Sequence, residues 1–224
     1  MTTTSTADLR YLKAAWYVSQ QGGRATVSAV AERLEVSSAS ASAGLQRLIS
    51  HGLLDRDAGR ELTLTSTGER EALRLVRRHR LVETFLAEAL GLPWDALHDE
   101  AEALEWQVSP RLEERIAEVL GHPRRDPHGD PIPSADGAHE EAVDVALASL
   151  TPGSSGTVSR VADVPDLLRY LAEEGLVIGT VVTVERHAPF GGPLWLASPG
   201  GRHALGREAT RAISVTDVQP PNED

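Results

Sequence analysis

The chain of 224 residues is 41% hydrophobic and 25% charged, an ordinary globular composition with length for one large domain or two modest ones. No apolar run approaches the ~18 residues of a membrane span, and the first residues lack the basic and apolar regions of a secretory signal. Because the chain has no cysteine, disulfides and thiolate metal sites are excluded. From these features together we expect a cytoplasmic protein with no membrane partner.

Charge is distributed unevenly along the chain. The net charge is -11, yet residues 1–80 carry 12 basic against 8 acidic side chains, a net charge of +4. Residues 81–224 carry 10 basic against 25 acidic side chains, a net charge of -15. This asymmetry is typical of a basic module that reads DNA, joined to an acidic remainder.

The first third of the chain predicts a helix-turn-helix followed by a β-wing. Apolar residues at helical spacing predict three helices, with Thr26 as one N-cap and Ser37 or Ser38 as another. Two strand-like runs, joined across residues 57–60, predict the wing. The predicted helices span residues 8–20, 27–34 and 38–51, and the predicted strands span residues 53–56 and 61–65.

The third helix is predicted to lie in the major groove of DNA, with its N-terminal residues towards base edges. Its first half, up to Gly44, is small and rich in hydroxyl groups, so we expect its backbone to approach DNA closely. Serines would hydrogen-bond to phosphates or bases, Ala39, Ala41 and Ala43 would meet thymine methyl groups, and arginines would hold phosphates. The alternative is a merely permissive surface. The predicted DNA-contacting residues are Arg33, Ser37, Ser38, Ser40, Ser42, Gln46 and Arg47, with Arg56 and Arg60 on the wing.

The rest of the chain predicts a helical region and then a small β domain, so the expected fold class is mainly α. Helices are predicted over residues 67–90, 94–108 and 110–120, and the Pro- and Gly-rich segment 121–137 indicates a domain boundary. Five short strands around one helix at 166–174 indicate a small barrel. The predicted strands span residues 143–150, 157–161, 180–186, 194–197 and 213–218.

Two of these helices carry histidine and glutamate at helical spacing. His79 and Glu83 share one face of the first, and His98, Glu102 and Glu105 share one face of the next. Because a Pro-containing turn joins the helices, the two faces can form a nitrogen and oxygen site suited to Mn²⁺, Fe²⁺, Co²⁺ or Zn²⁺. The alternative is a solvated acidic face with two ordinary histidines. The histidines to which we assign no role are His51, His122, His128, His139, His187 and His203.

The chain resembles the diphtheria-toxin-repressor family, and most closely its manganese transport regulator branch. The resemblance is carried by VRRHRLVETFLAEALGLPWDALHDEAEALE and RDPHGDPIPSADG, and GTVVTVERHAPFGGPL is similar to the family's SH3-like domain. It implies a winged helix-turn-helix at 1–66, a helical dimerisation and metal-binding domain at 67–137, and an SH3-like (FeoA-like) barrel at 138–224. It also implies a homodimer that binds a palindromic operator in double-stranded DNA when metal is loaded.

The resemblance further implies two metal sites. The positions of the first site are occupied by His79, Glu83 and His98. The positions of the second, activating site are occupied by Arg10, Glu102, Glu105, Trp106 and, in the manganese branch, sometimes Lys13.

The activating site departs from the family pattern. Arg10 stands where the family has Asp or Met, and Trp106 stands where it has His. Neither side chain can bind a cation, because arginine stays protonated and the indole nitrogen is only a donor. We hypothesise that the Arg10 guanidinium takes the place of the metal and pairs with Glu102 and Glu105. The alternative is that Arg10 points to solvent and Trp106 fills core space.

We therefore expect a transcriptional repressor of metal homeostasis genes that responds to Mn²⁺ or Fe²⁺, with Zn²⁺ or Co²⁺ binding in vitro. The alternative is a family member with a degenerate activating site that binds DNA without metal or senses another ligand. An enzyme is not expected, because we find no Cys nucleophile, no Gly-rich phosphate loop and no Ser with a plausible His/Asp pair.

Overall fold

The structure is a computed structural model that describes residues 4–20, 25–56, 61–138 and 144–221. The chain forms two compact units, one of Met1–His79 with Pro133–His139 and one of Arg80–Ile132 with Glu140–Asp224. It is mainly helical with a small β part, so the predicted fold class is confirmed. Within the described ranges, no helix has both the length and the apolar character that crossing a bilayer requires.

The first unit begins with helices α1 (Thr6–Gln20), α2 (Val27–Arg33) and α3 (Ser38–Ser50), close to the predicted bounds. Thr26 Oγ1 accepts a hydrogen bond from the Ala29 backbone nitrogen at 3.3 Å, and Ser37 Oγ accepts one from that of Ser40 at 3.1 Å. Both side chains therefore act as N-caps, as predicted.

The predicted wing strands are present in the first unit. Strand β1 (Leu54–Arg56) pairs antiparallel with β2 (Leu62–Leu64). The predicted wing turn at 57–60, including Arg60, lies outside the described residues. Apolar side chains of α1, α3, the hairpin and the start of α4 (Ser66–Leu90) form one core. Its buried members include Leu12, Trp16, Leu45, Leu48, Leu54, Leu62 and Val76.

In the second unit, the predicted single helix over residues 94–108 is wrong. Two 3₁₀ turns, Trp94–Ala96 and Glu105–Gln107, flank a shorter helix α5 (Leu97–Leu104). The helix cannot run on into Pro110, because the residue before a proline avoids the helical region, and Ser109 is extended with ψ 158°. Ser109 then caps helix α6 (Pro110–Val119).

The second unit ends in an antiparallel six-stranded sheet of order β3-β8-β4-β5-β6-β7. Helix α7 (Pro165–Glu173) contributes Leu168 and Leu171 to its core, and helix α8 (Arg207–Ala212) precedes the last strand. The strands are β3 (Val145–Ala146), β4 (Ser155–Val161), β5 (Val181–His187), β6 (Leu194–Ser198), β7 (Gly201–Leu205) and β8 (Ile213–Gln219).

The sequence analysis was wrong about part of this sheet. Among the described residues of the predicted strand 143–150, only Val145–Ala146 pair, and Leu147–Ser149 form a 3₁₀ turn. Leu147 and Leu150 are both buried. They are three positions apart, and a 3₁₀ turn places side chains at this spacing on the same side. Strand β7 and helix α8 were missed, because segments of five and six residues show too little periodicity.

Candidate metal centre and DNA-facing helix

Helix α4 places a carboxylate inside the second unit. Glu83 is only 2% exposed and lies among apolar neighbours on its own helix, such as Val82 and Leu86. A buried carboxylate is strongly unfavourable unless hydrogen bonds or opposite charges compensate for lost water. The groups around Glu83 therefore determine what this position can do.

The loop after α6 brings two more side chains to Glu83. Asp126 Oδ1 accepts hydrogen bonds from the backbone nitrogens of His128 and Asp130, each at 2.9 Å, so the loop folds tightly around this carboxylate. One ligand atom each of Glu83, Asp126 and His128 lies within 4.8 Å of the others, and all three residues are buried. Glu83 on the helix and the two loop side chains therefore form a group that could bind a metal ion.

Gly129 allows this loop to lie directly against strand β4. Its φ is +88°, and a Cβ atom at this position would be 1.9 Å from the Ser159 carbonyl oxygen. The backbone nitrogen of Val161 donates a hydrogen bond to the His128 carbonyl oxygen at 2.9 Å. Only glycine combines the positive φ with such a close approach.

His98 and Asp163 complete the group. His98 Nδ1, on helix α5, lies 2.6 Å from Asp163 Oδ2 and 3.8 Å from Glu83 Oε1. His128 Nε2 lies 3.9 Å from Asp163 Oδ1 and 2.9 Å from the Trp94 carbonyl oxygen. We call these five residues, Glu83, His98, Asp126, His128 and Asp163, the Glu83 cluster.

Two members of the Glu83 cluster have strongly raised pKa values. Hydrogen bonds from His98 to Asp163 and then to Glu83 outweigh its burial and raise the pKa of His98 to about 10. Burial first, then the charges of Glu83 and Asp130, raise the pKa of Asp126 to about 7, although Arg80 and His128 act in the opposite direction. Around neutral pH the cluster therefore holds protons in a place rich in ligand atoms.

Arg80 supplies part of the opposing charge. Its Nε lies 3.4 Å from Asp126 Oδ2 and its Nη2 lies 3.6 Å from Asp130 Oδ1. Its Nη1 donates a hydrogen bond to the Pro131 carbonyl oxygen. Arg80 thus holds the loop on helix α4 from the side of Asp126.

The Glu83 cluster fits a divalent transition metal. It offers carboxylate oxygens and imidazole nitrogens without sulfur, which are the donors that Mn²⁺, Fe²⁺, Co²⁺ and Zn²⁺ accept. Asp163 Oδ1 is buried and, among the described residues, accepts no hydrogen bond. A buried carboxylate oxygen without a hydrogen bond is unfavourable, and a cation beside it would remove that penalty.

Two of the residues predicted from helical spacing share one face of α4, because His79 precedes Glu83 by one turn of the same helix. On α5 and the turn after it, Glu102 is half-buried and Glu105 is buried. The predicted grouping of His79 with His98, Glu102 and Glu105 stays a prediction. His79 Nδ1 lies 3.2 Å from Lys13 Nζ.

Arg10 and Trp106 belong to different compact units. Arg10 lies on helix α1 and is exposed, while Trp106 lies in the 3₁₀ turn after α5 and is half-buried. The hypothesis that Arg10 pairs with Glu102 and Glu105 stays a prediction.

Three members of the Glu83 cluster were missed from the sequence. His128 was given no role, and Asp126 and Asp163 were not singled out. The stretch RDPHGDPIPSADG held a signal for Asp126 and His128, because two potential ligands in a Pro- and Gly-rich loop are unusual. Asp163 follows strand β4 in a short loop, and no pattern around it indicates a role.

The structure also brings a serine to a histidine and an acid, which the sequence did not suggest. His203 Nε2 lies 2.8 Å from Ser198 Oγ, and His203 Nδ1 lies 2.7 Å from Glu174 Oε2. Ser198 Oγ also accepts a hydrogen bond from the Gly200 backbone nitrogen at 3.1 Å. These contacts connect the tight turn between β6 and β7 to the end of α7, which is a structural role.

The predicted DNA-contacting residues lie at the end of α2, at the N-cap of α3 and along α3, and they face solvent. All seven predicted side chains are exposed: Arg33, Ser37, Ser38, Ser40, Ser42, Gln46 and Arg47. One prediction on this helix is wrong, because Ala41 is 0% exposed and cannot meet a thymine methyl group. Gly44, at the end of the stretch expected to approach DNA, is buried against the Tyr11 ring, where a Cβ atom would be 2.4 Å from Cδ2.

Both arginines in this set are exposed and also contact other side chains of the protein. The Arg33 guanidinium lies 4.3 Å from the centre of the Tyr17 ring. Arg47 Nε donates a hydrogen bond to Asp8 Oδ1 at 2.7 Å, and Ser5 Oγ donates one to Asp8 Oδ2 at 2.8 Å. Helix α1 therefore orients Arg47 on the exposed face of α3.

Three family models match the sequence. The iron dependent repressor N-terminal DNA binding domain matches residues 1–61, and the iron dependent repressor metal binding and dimerisation domain matches residues 65–134. The FeoA domain matches residues 145–217. The FeoA match agrees with the predicted SH3-like C-terminal part.

Known proteins are similar over nearly the whole chain. The iron-dependent repressor IdeR of Mycobacterium leprae is 32% identical over 221 residues, which cover 93% of this chain and 96% of IdeR. The diphtheria toxin repressor of Corynebacterium diphtheriae is 35% identical over 126 residues, 56% of each chain. A solved manganese-dependent transcriptional repressor in complex with manganese has a TM-score of 0.86 at 42% identity, covering 93% of this chain and 98% of that one. The solved structure of the manganese regulator SloR has a TM-score of 0.78 at 28% identity, and the match covers 98% of this chain and 100% of SloR.

Proposed function

Since the chain belongs to the iron-dependent repressor family, which includes the diphtheria toxin repressor, we propose that it is a transcriptional repressor whose DNA binding depends on Mn²⁺ or Fe²⁺. It acts in the cytoplasm as a homodimer on a palindromic operator and controls genes of metal homeostasis. Residues 1–66 bind DNA, residues 67–137 dimerise and bind metal, and residues 138–224 form the FeoA-like domain. The protein is a regulator and not an enzyme.

The Glu83 cluster is the observation that carries this proposal. Its carboxylates and imidazoles come from α4, α5, the loop after α6 and the loop after β4, so one ion would join four segments. A bound metal supplies two positive charges where the metal-free cluster holds protons on His98 and Asp126. The cluster residues would bind the ion, Gly129 and Arg80 hold the loop in place, and burial excludes water from Glu83 and Asp126.

The resemblance implies a second candidate group of His79, Glu102 and Glu105. With one imidazole and two carboxylates it offers the same donor types as the Glu83 cluster, so Zn²⁺ and Co²⁺ can also bind in vitro.

The exposed face of α3 supports the DNA-binding part of the proposal. Its serines and Gln46 offer hydrogen bonds to bases and phosphates, and Arg33 and Arg47 offer positive charge. These side chains discriminate poorly between different bases, so we expect DNA shape and phosphate contacts to supply much of the specificity.

The test is operator binding by the metal-stripped protein, titrated separately with Mn²⁺, Fe²⁺, Co²⁺ and Zn²⁺. The DNA is selected from a random pool by the Mn²⁺-loaded protein and then measured by fluorescence anisotropy. We expect metal to raise DNA affinity by roughly 5–150-fold, the usual range of coupling between two sites. DNA affinity that does not change when metal is removed would contradict the proposal.

A matched pair of variants on helix α4 connects this effect to the Glu83 cluster. Glu83→Gln removes a buried charge from the cluster, whereas Glu88→Gln changes an exposed glutamate on the same helix. We expect the Glu83 variant to lose most of the metal effect and the Glu88 variant to keep it.

A further inference from the structure

Trp94 packs against two apolar cores of the second unit. It begins the 3₁₀ turn that precedes helix α5, and its side chain is half-buried. One of the two cores lies between helices α4 and α5 and includes Leu97. The other belongs to the FeoA-like part, which holds the six-stranded sheet and α7, and includes Leu168. Trp94 therefore lies where the helices of this unit meet the FeoA-like part.

Two hydrogen bonds anchor this turn to helix α7. Trp94 Nε1 donates one to the Leu168 carbonyl oxygen at 2.9 Å, and Arg169 Nε donates one to Asp95 Oδ2 at 3.2 Å. Neighbouring residues of the turn thus contact neighbouring residues of the helix, so the turn cannot shift along α7 without breaking both hydrogen bonds. The backbone of Trp94 is thereby held in place relative to the FeoA-like part.

The carbonyl group of Trp94 contacts a member of the Glu83 cluster. His128 Nε2 lies 2.9 Å from the Trp94 carbonyl oxygen, and His128 is 1% exposed. Because a carbonyl oxygen can only accept, His128 donates this hydrogen bond and carries a proton on Nε2. Of the two ring nitrogens, only Nδ1 can then offer a lone pair to a metal ion.

A histidine that binds a metal usually has such a partner. It donates its other ring N–H to a carbonyl or carboxylate oxygen, which fixes the tautomer and the orientation of the ring. The other acceptor near His128 Nε2 is Asp163 Oδ1, which is farther away at 3.9 Å. The Trp94 carbonyl oxygen is therefore the group that determines where the proton of His128 lies.

We propose that Trp94 is a positioning residue for metal binding by the Glu83 cluster: its carbonyl oxygen holds the proton on His128 Nε2 and leaves Nδ1 for the ion, while its indole ties that carbonyl to α7. This inference rests on the proposed function and adds the residue that sets the orientation of one ligand. It also lets the FeoA-like part influence metal affinity through Leu168, in addition to the carboxylate of Asp163.

The first experiment uses full-length wild type with isotope-labelled histidine. Long-range proton–nitrogen NMR correlations show which ring nitrogen carries a proton, and the His128 signals are those missing from His128→Gln. We expect a proton on Nε2 in the metal-free protein and also after loading with Zn²⁺, a diamagnetic substitute for Mn²⁺, with the metal-induced shift on Nδ1. An Nε2 without a proton in either state would overturn the inference.

The second experiment compares two tryptophan variants. Trp94→Phe keeps an aromatic ring and removes the hydrogen bond to Leu168. Trp195→Phe is the matched control, because Trp195 is also half-buried but lies on β6 with its ring 4.7 Å from the Arg186 guanidinium. We expect Mn²⁺ affinity, measured by calorimetry, to fall roughly 10–100-fold in Trp94→Phe and to stay at the wild-type value in Trp195→Phe.

The same NMR spectra separate positioning from a general loss of stability. In Trp94→Phe the Nε2 proton of His128 should exchange faster with water, whereas a general destabilisation would affect several histidines alike. A folded Trp94→Phe with wild-type Mn²⁺ affinity would overturn the inference.

The metal-free spectrum tests the role of Trp94 without any ion, so its outcome is separate from that of the proposed function. His128 signals that respond neither to Zn²⁺ nor to Mn²⁺ would contradict metal binding by the Glu83 cluster and with it the metal-dependent function. An Nε2 without a proton, together with normal metal binding, would overturn only the role of Trp94.

Discussion

Glu83 and Asp126 are carboxylates in the interior, where a lone negative charge is strongly unfavourable. The metal-free protein stabilises them with a proton on His98, a proton on Asp126 below its pKa of about 7, and the Arg80 guanidinium. Metal ligands must lose their protons before they bind, so proton release accompanies metal binding. The raised pKa values of this cluster therefore have a measurable consequence.

We predict that Mn²⁺ affinity rises with pH between about 6 and 8. His98, with a pKa of about 10, is protonated over this whole range, and Asp126, with a pKa of about 7, loses its proton within it. Calorimetry in buffers of different ionisation enthalpy should detect proton release on binding. His98→Gln should release fewer protons, and the absence of any release in wild type would contradict the prediction.

The free energy of unfolding of the metal-free protein should fall as pH rises, whereas Mn²⁺ affinity should rise. The folded-state pKa of His98 is raised from 6.5, so its contribution to stability is fully present below 6.5 and is lost as pH rises through about 10. Denaturant unfolding of stripped protein at pH 6.5 and pH 9.5 tests this direction. Higher stability at pH 9.5 would count against the contacts seen for His98.

Asp8, on helix α1, has a lowered pKa, so its contribution to stability changes with pH in the opposite direction to that of His98. Burial alone would raise its pKa, but hydrogen bonds from Ser5 and Arg47 lower it below the usual 3.8. Its contribution to stability is therefore present above pH 3.8 and is lost as pH falls through the lower folded value. We predict that Asp8→Ala reduces the free energy of unfolding at pH 7 by about 1–3 kcal/mol.

Urea unfolding measures this loss, and the difference from wild type should shrink at low pH. Asp8→Ala should also weaken DNA binding, because Arg47 loses the partner that orients it on α3. Unchanged DNA affinity would mean that Arg47 does not need this orientation.

At the level of elements, the loop from Asp126 to Asp130 positions two members of the Glu83 cluster. It depends on the hydrogen bonds to Asp126 Oδ1 and on the close approach of Gly129 to Ser159. Neither feature belongs to a helix or a strand, so secondary-structure propensity does not predict it.

We predict that Gly129→Ala destabilises the metal-free protein by about 1–3 kcal/mol and weakens Mn²⁺ binding. The new methyl group would be too close to the Ser159 carbonyl oxygen, and alanine disfavours a φ of +88°. Thermal unfolding and Mn²⁺ titration measure the two effects. Gly206→Ala is the control, because φ there is -65° and a Cβ atom would meet nothing within 4 Å.

On the scale of the whole molecule, the FeoA-like part contributes Asp163 to the Glu83 cluster. Asp163 follows strand β4, and its carboxylate contacts His98 of the helical part at 2.6 Å. Trp94 Nε1 donates a hydrogen bond to the Leu168 carbonyl oxygen at 2.9 Å, which joins the same two parts. The C-terminal β part is therefore structurally connected to the helices that carry the other ligands.

We predict that Asp163→Ala lowers Mn²⁺ affinity roughly 10–100-fold, as removal of a group at or next to a metal ligand typically does. Asp166→Ala is the control, because its side chain is 94% exposed and only three residues away. Calorimetric titration of both variants gives the comparison. Equal affinities would mean that the FeoA-like part does not take part in metal binding.

The sequence by itself determined the features that local spacing controls. The apolar periods of α1 to α4, the caps at Thr26 and Ser37 and the wing strands could be predicted because each depends on residues a few positions apart. The pairing of His79 with Glu83 and the shared face of His98, Glu102 and Glu105 were predictable for the same reason, and the resemblance supplied the expected function.

Only the tertiary structure decided which distant residues join them. Asp163 reaches His98, Lys13 reaches His79 across 66 positions, and Ala41 turns inwards, because packing of whole elements sets these distances. Short segments such as β7 and α8 are likewise held by their neighbours and not by their own propensity. Local chemistry therefore indicated a candidate metal site, while long-range packing brought Asp126, His128 and Asp163 to Glu83 and His98 and placed Lys13 beside His79.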